Sequence, residues 1–178
     1  MLMTFGTLVV FLGLFLSLLY FFPYGTLKVL GFFPYFIYKQ FILQRLKWRS
    51  RAIITRFGWI EYTAKGSGNN VLLYIHGSPG GYDQTTSPGT NYSVLTPSRP
   101  GYLGTDISAG RSPEEQADCF KALIDALKVE KVFVMGVSGG GPSAMHFVAK
   151  YPDNAAGLIL FEAVSHSQDF KEEDQELI

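Results

Sequence analysis

Ser138 stands in a glycine-rich run that suits a nucleophilic serine. It follows the mainly apolar residues Val132 to Gly136, which have the length and composition of a buried strand. The run Gly136-Val137-Ser138-Gly139-Gly140 then gives way to a helical pattern. Strand, sharp turn and helix form the context in which G-x-S-x-G exposes a serine hydroxyl. This spacing alone leaves two interpretations open, acyl-transfer chemistry at Ser138 or an ordinary serine in a glycine-rich turn, and the neighbouring motifs decide between them.

Two further loops are predicted to meet Ser138 at one edge of a sheet. The apolar run 71–75 leads into His76-Gly77-Ser78-Pro79-Gly80-Gly81, and a second strand, 92–96, leads into the loop 98–105. Strands alternate with helical patterns from residue 57 onward, which predicts an α/β fold with a doubly wound, mostly parallel sheet. Ligands bind beyond the carboxyl ends of such strands, where these loops begin.

A strong helix start precedes the strand that carries the serine. Ser112 suits the N-cap, Pro113 the first helical position, and Glu115 the closing position of a capping box. Apolar residues then recur at helical spacing, which predicts one buried face: Phe120, Leu123, Ile124 and Leu127.

The three loops together resemble the alpha/beta-hydrolase family, specifically its His-Gly-x-Pro-Gly members. The resemblance covers residues 57–165 and is carried by the runs 76–81, 99–105 and 136–140. It implies that Ser138 is the nucleophile and that the backbone N–H groups of Gly139 and Ser78 form an oxyanion hole. It gives His76, Gly77 and Arg99 the role of supporting these loops, and it implies no metal or organic cofactor.

The same resemblance identifies departures from the family pattern. Ser98 stands where the family loop carries an acid, and Thr105 stands where it carries a serine. In this fold the triad residues follow the order Ser, acid, His. Glu162, at the end of the next strand, is the candidate acid, and His166 is a weaker candidate base. His146 is expected to pack or face solvent.

The amino-terminal residues suggest a membrane anchor. Leu2 to Tyr24 contain no charge and are long enough to span a bilayer. We therefore predict a transmembrane anchor at residues 1–26, a basic aromatic juxtamembrane segment at 27–52, and the N-terminal part of a hydrolase domain at 53–178. Residues 27–46 could instead form a second span. The basic cluster after the span predicts a single-pass protein with a cytoplasmic carboxyl-terminal domain.

Charge and composition narrow the partners. Residues 1–56 hold seven of the fifteen basic residues and no acid, whereas residues 57–178 hold eight basic and all fifteen acidic residues. The acidic globular part argues against nucleic acid, and the single Cys119 precludes an internal disulfide. The leading hypothesis is a membrane-anchored serine hydrolase acting on a small ester or amide, with lipid-like molecules among the candidate substrates. A non-catalytic or partner-completed half-domain is the alternative, and the oligomeric state stays open.

Overall fold

The computed structural model describes residues 13–14, 16–17, 20, 23–85 and 91–165. The chain divides into two compact units, Met1–Trp48 and Arg49–Ile178. The boundaries predicted from the sequence, at residues 26 and 52, stay predictions.

The first unit contains helix α1 (Pro23–Lys47), which has Pro34 in its interior. Lys39, Gln40, Gln44 and Arg45 interrupt its apolar residues, so hydropathy stays low over any stretch of spanning length. Within the described ranges, no helix is long and apolar enough to cross a membrane. The predicted single-pass membrane protein with a cytoplasmic carboxyl-terminal domain is therefore wrong. Most of the run 2–24, on which that prediction was based, lies outside the described residues.

The second unit is built on one sheet with the order β1-β2-β4-β3-β5-β6. Its strands in the described residues are β1 (Arg51–Thr55), β2 (Gly58–Lys65), β3 (Asn70–Ile75), β4 (Tyr92–Pro97), β5 (Val132–Val137) and β6 (Ala155–Phe161). The first two pairings, β1 with β2 and β2 with β4, are antiparallel, and the other three are parallel. The predicted α/β fold with a mostly parallel sheet is confirmed.

Strand β1 is a feature that the sequence pattern did not reveal. It has only five residues, all of them partly or fully exposed, and its three apolar residues are too few for a continuous apolar run of strand length. It forms because a tight turn at Arg56 and Phe57 returns the chain along β2, with Thr55 Oγ1 donating to the carbonyl of Gly58 at 3.0 Å. Pairing, rather than local hydrophobicity, therefore defines this strand.

Two helices in the described part of this unit accompany the sheet: α2 (Pro113–Ala126) and α3 (Gly141–Lys150). The predicted capping box starts α2, because Ser112 Oγ accepts from the N–H of Glu115 at 3.2 Å and the Glu115 carboxylate accepts from the N–H of Ser112. The apolar face of α2 is fully buried in a core shared with the sheet and α3. Burial raises the pKa of the Cys119 thiol on α2 to about 12, which makes it an inert packing residue.

The strand order brings the predicted loops to one edge. Strand β3 lies between β4 and β5, with Ile75 paired to Gly136, so their carboxyl ends meet. Strand β6 follows β5 in register, with Val137 paired to Phe161. The loops after β3, β4, β5 and β6 consequently surround Ser138.

Candidate active site

Ser138 occupies a strained turn between β5 and α3. Its φ angle is +48°, in the left-handed region that residues with a side chain rarely adopt. It begins a 3-10 turn, Ser138–Gly140, that leads directly into α3. The N–H of Val164 donates to the Ser138 carbonyl at 3.0 Å, which helps hold the turn. Such conformations cost about 1–3 kcal/mol and persist only where the surroundings enforce them.

The loop after β3 meets this turn backbone to backbone. A Cβ placed on Gly77 would lie 2.9 Å from Ser138 Cβ and 3.5 Å from its Oγ. A Cβ on Gly140 would lie only 2.3 Å from the carbonyl oxygen of Ile75. Real Cβ atoms essentially never approach so closely, so both positions require glycine. This close contact places the Gly77-Ser78 segment directly beside the Ser138 hydroxyl.

Ser78 lies beside Gly139, as the oxyanion-hole prediction requires. A Cβ on Gly139 would be 3.3 Å from Ser78 Oγ and 3.4 Å from Arg99 Nη1. Ser78 Oγ also shares a 2.5 Å hydrogen bond with the hydroxyl of Tyr102. Three loops therefore converge on one point next to Ser138. The predicted roles of the N–H groups of Ser78 and Gly139 are compatible with this arrangement and stay predictions.

His76 is completely buried, and both of its ring nitrogens are occupied. Nε2 accepts from the N–H of Arg99 at 2.8 Å, so Nδ1 carries the proton and donates to the Gly77 carbonyl at 2.7 Å. Burial, more than any nearby charge, lowers the pKa of His76 to about 4. His76 is thus a neutral brace between the loops after β3 and β4, with no nitrogen available to Ser138.

Arg99 links the same two loops to α2. Its Nε donates to Gln116 Oε1 at 3.1 Å and its Nη1 to the His76 carbonyl at 3.4 Å. The guanidinium carbon lies 5.3 Å from the centre of the Tyr102 ring, within cation–π range. Ser143 Oγ donates to the same Gln116 oxygen at 2.8 Å. Burial lowers the pKa of Arg99, yet a guanidinium stays charged near neutral pH.

Glu61 is a site-supporting residue that the sequence analysis missed. It is only 5% exposed, and its carboxylate accepts from Ser50 Oγ at 2.7 Å, Ser98 Oγ at 2.9 Å and the N–H of Gly104 at 2.8 Å. The N–H of Glu61 in turn donates to Thr105 Oγ1 at 3.0 Å. Glu61 on β2 therefore supplies a carboxylate to the loop 98–105, whose first residue, Ser98, has none. The sequence did contain one signal for this role. Glu61 is an acidic residue within the strand β2, and Ser98 replaces the acid that the family carries in the loop 98–105.

The remaining candidates lie on the β6 side of Ser138. Glu162 directly follows the register pair of Val137 and Phe161, so it reaches the same sheet edge, but it is exposed, has a φ angle of +46° and makes no hydrogen bond within the described ranges. His146 is exposed and lines a shallow apolar concavity of about 480 Å³ on α3. His166 lies outside the described residues.

The described residues contain no group of three or more His, Cys, Asp or Glu side chains placed to hold a metal ion. In the same ranges, no histidine forms a hydrogen bond with the Ser138 side chain. The arrangement therefore offers a half-buried hydroxyl in a strained turn with the Gly77-Ser78 segment beside it, while the base for Ser138 is not among the described contacts.

The chain is similar to known proteins of the alpha/beta hydrolase fold. Residues 70–177 match the family model for the alpha/beta hydrolase fold. The uncharacterized hydrolase YcgS of Bacillus subtilis is 34% identical over 123 residues, which are 67% of this chain and 43% of that protein. A 2-hydroxy-6-oxononadienedioate/2-hydroxy-6-oxononatrienedioate hydrolase of Dechloromonas aromatica is 32% identical over 111 residues, covering 57% of this chain and 38% of that protein.

The solved structure of an alpha/beta hydrolase fold protein from Nakamurella multipartita aligns with a TM-score of 0.61 and 32% identity. The alignment covers 68% of this chain and 44% of that one. The chain spans less than half the length of these relatives.

Proposed function

The chain belongs to the alpha/beta hydrolase fold family, and from this membership we propose that it contributes Ser138 as the nucleophile of an acyl hydrolase. The observation that carries the proposal is the turn at Ser138. A strained positive φ and a side-chain-free neighbour at Gly77 hold the hydroxyl beside the loop that carries Ser78. A strain of this kind is retained where it serves a site.

In the proposed reaction, Ser138 Oγ attacks the carbonyl carbon of the substrate and loses its proton to a base. The carbonyl oxygen becomes an oxyanion, which accepts hydrogen bonds from the N–H groups of Gly139 and Ser78. Collapse of this intermediate breaks the bond to the leaving group, and water then hydrolyses the acyl-serine ester. Losing one such donor typically costs about 3 kcal/mol of transition-state stabilisation.

His76 does not fit the role of the base, because both of its nitrogens are engaged and its low pKa keeps it neutral. Glu162 remains the candidate acid, on the strength of its place beside Ser138 at the sheet edge. The proposal therefore assigns the nucleophile and the oxyanion donors to described residues and leaves the base unassigned.

The proposed substrate is a small organic molecule with a hydrolysable ester, amide or similar acyl bond. The relative from Dechloromonas aromatica is named as a hydrolase of 2-hydroxy-6-oxononadienedioate and 2-hydroxy-6-oxononatrienedioate, which favours a small organic substrate. The expectation of a lipid-like substrate rested on the predicted membrane anchor and loses that support.

A second candidate is a non-catalytic or partner-completed binding domain. It is favoured by one observation: in the described part of the chain, neither His76 nor His146 bonds to the Ser138 hydroxyl. A serine without a base is a weak nucleophile at neutral pH.

Labelling by a fluorophosphonate probe separates the two candidates. In the protein as its source makes it, we expect wild type to be labelled and Ser138→Ala to stay unlabelled. Ser108→Ala is the matched control, because Ser108 is an exposed serine whose N–H bond to Asp106 survives the change. Absence of labelling in folded wild type, or equal labelling of wild type and Ser138→Ala, would overturn the hydrolase proposal and favour the binding domain.

A further inference from the structure

We propose that Arg99 is an electrostatic positioning residue for Ser138: its guanidinium supplies a positive charge behind Gly139 and Ser78, and no carboxylate among the described residues pairs with it. This role is additional to the support that Arg99 gives to the loop 98–105. It concerns the same site as the proposed function and rests on it, but its test does not require hydrolysis.

The placement of Arg99 supports this role. Nη1 would lie 3.4 Å from a Cβ on Gly139, the residue that directly follows the proposed nucleophile. Its hydrogen-bond partners are the His76 carbonyl and Gln116 Oε1, and its ring partner is Tyr102. All three are uncharged, so they orient the guanidinium without cancelling its charge.

The charged groups around Arg99 leave that charge exposed to the site. The ion pairs among the described residues involve Lys121 and Lys150 and do not include Arg99. Glu61 is engaged with Ser50, Ser98 and Gly104 rather than with Arg99. The other titratable groups near these loops are His76, which is neutral, Asp83, which acts on His76, Tyr102, and the exposed Glu162.

The positive charge of Arg99 indicates a role beyond hydrogen bonding. An unpaired cation in a partly dry setting is disfavoured, because it loses hydration and gains only neutral hydrogen-bond partners in return. A purely structural brace therefore has no need of a charge. A positive charge close to an oxyanion, in contrast, stabilises it most where water is partly excluded.

The test replaces the nucleophile by a thiol, whose pKa reports the electrostatic potential at that position. The Ser138→Cys substitution is made in three backgrounds: native, Arg99→Gln and Arg99→Lys. The rate of alkylation by iodoacetamide is measured against pH in the folded protein, with circular dichroism as the check on folding. Wild type provides the blank, because burial and a pKa of about 12 protect Cys119.

We expect Arg99→Gln to reduce the thiolate fraction at pH 7 by about tenfold, corresponding to a rise in the thiol pKa. Arg99→Lys, which keeps the charge without the planar fork, should restore much of that loss. Arg111→Gln is the matched control, since it removes an exposed arginine charge and should leave the profile unchanged. A purely structural role would instead make Arg99→Lys resemble Arg99→Gln.

Two further results would overturn the proposal. One is an unchanged profile in a folded Arg99→Gln protein. The other applies even if Arg99→Gln does not fold: a thiol pKa at or above about 8.5, the ordinary value for cysteine, in the native background. Neither result depends on hydrolysis. Fluorophosphonate labelling of wild type tests the proposed function separately, so failure of one proposal can be told from failure of the other.

Discussion

The two sides of the Ser138 turn differ in how completely their polar groups are engaged. On the side of β3 and β4, the buried groups of His76, Arg99 and Glu61 are joined by hydrogen bonds to main chain and side chains. On the side of β6, Glu162 makes no hydrogen bond in the described ranges. Four apolar side chains of this strand are between 38% and 53% exposed: Leu158, Ile159, Leu160 and Phe161. Beyond the β5–β6 pairing, the N–H of Val164 donates to the Ser138 carbonyl and links this side to the turn.

This difference teaches where the position of the nucleophile is determined. A buried polar network is expensive to leave half satisfied, so each of its members constrains the others. An exposed strand end imposes little on its neighbours. Substitutions on the β3 and β4 side should therefore have large effects, and those on the β6 side should have small ones.

The largest effect is expected for His76→Ala. The change leaves a cavity in a fully buried position and strands two polar groups, the N–H of Arg99 and the carbonyl of Gly77. We expect the free energy of unfolding to fall by about 4 kcal/mol, measured by urea denaturation. His146→Ala, at an exposed histidine, serves as the control and should change stability by less than about 0.5 kcal/mol.

A pH dependence follows from the same histidine. Its pKa is about 4 in the folded protein and about 6.5 when unfolded, so between these values the unfolded chain binds more protons. Stability from neutral His76 is fully present above pH 6.5 and is lost as the pH falls toward 4. The loss amounts to roughly 3 kcal/mol.

Urea denaturation at several pH values checks this expectation. Comparison of wild type with His76→Gln separates this contribution from that of the carboxylates, since the variant should lack the added slope. Equal slopes in the two proteins would contradict the assignment.

Glu61 is the next test of the comparison. Glu61→Gln removes the charge of a carboxylate that accepts three hydrogen bonds. We expect a loss of about 2 kcal/mol in the free energy of unfolding. Glu130→Gln is the matched control on an exposed residue and should be nearly neutral.

A double-mutant cycle makes the Glu61 test sharper. Ser98→Asp alone puts a second carboxylate beside Glu61 and should destabilise the fold. The same change combined with Glu61→Gln moves the acid onto the loop and should recover stability, with an interaction energy of about 1 kcal/mol or more. Simple additivity of the two changes would show that Glu61 does not take the place of the loop acid.

A smaller effect is expected at Ser138 itself. Because φ is +48°, Ser138→Gly should be about 1 kcal/mol more stable than Ser138→Ala, as measured by urea denaturation. The same pair at Ser108, which has no positive φ, should show the opposite order, since glycine increases the entropy of the unfolded chain. Equal stability of the two Ser138 variants would mean that the turn stores no strain.

The smallest effect is expected on the β6 side. Glu162→Gln should change the free energy of unfolding by less than about 0.5 kcal/mol, because the side chain is exposed and makes no hydrogen bond in the described part of the chain. Fluorophosphonate labelling of the same variant adds a functional readout. A strong loss of labelling with unchanged stability would identify Glu162 as the triad acid.

The sequence predicted those parts of the fold that depend on local pattern. Strands such as β3 and β5 are continuous apolar runs, and the start of α2 has a complete capping box, so neighbouring residues specify each element. The turn at Ser138 was also predictable, since its glycines are required by the geometry that the structure displays at Gly77 and Gly140.

Features that depend on distant partners were not predictable in this way. Glu61 bonds to Ser98, 37 residues later in the chain, and nothing in the local pattern of β2 announces that pairing. Strand β1 likewise exists because β2 lies beside it. The membrane prediction is a different case: it was based on residues 2–24, most of which lie outside the described residues, and no described helix is long and apolar enough to cross a membrane.

The close contacts at Gly77 and Gly140 also have a consequence for substitution. A Cβ on Gly77 would lie 2.9 Å from Ser138 Cβ, and a Cβ on Gly140 would lie 2.3 Å from the Ile75 carbonyl oxygen, so there is no room for a methyl group at either position. Alanine at either position would push the loop after β3 and the turn at Ser138 apart. The separation between the nucleophile and the backbone beside it is therefore set by the absence of two side chains.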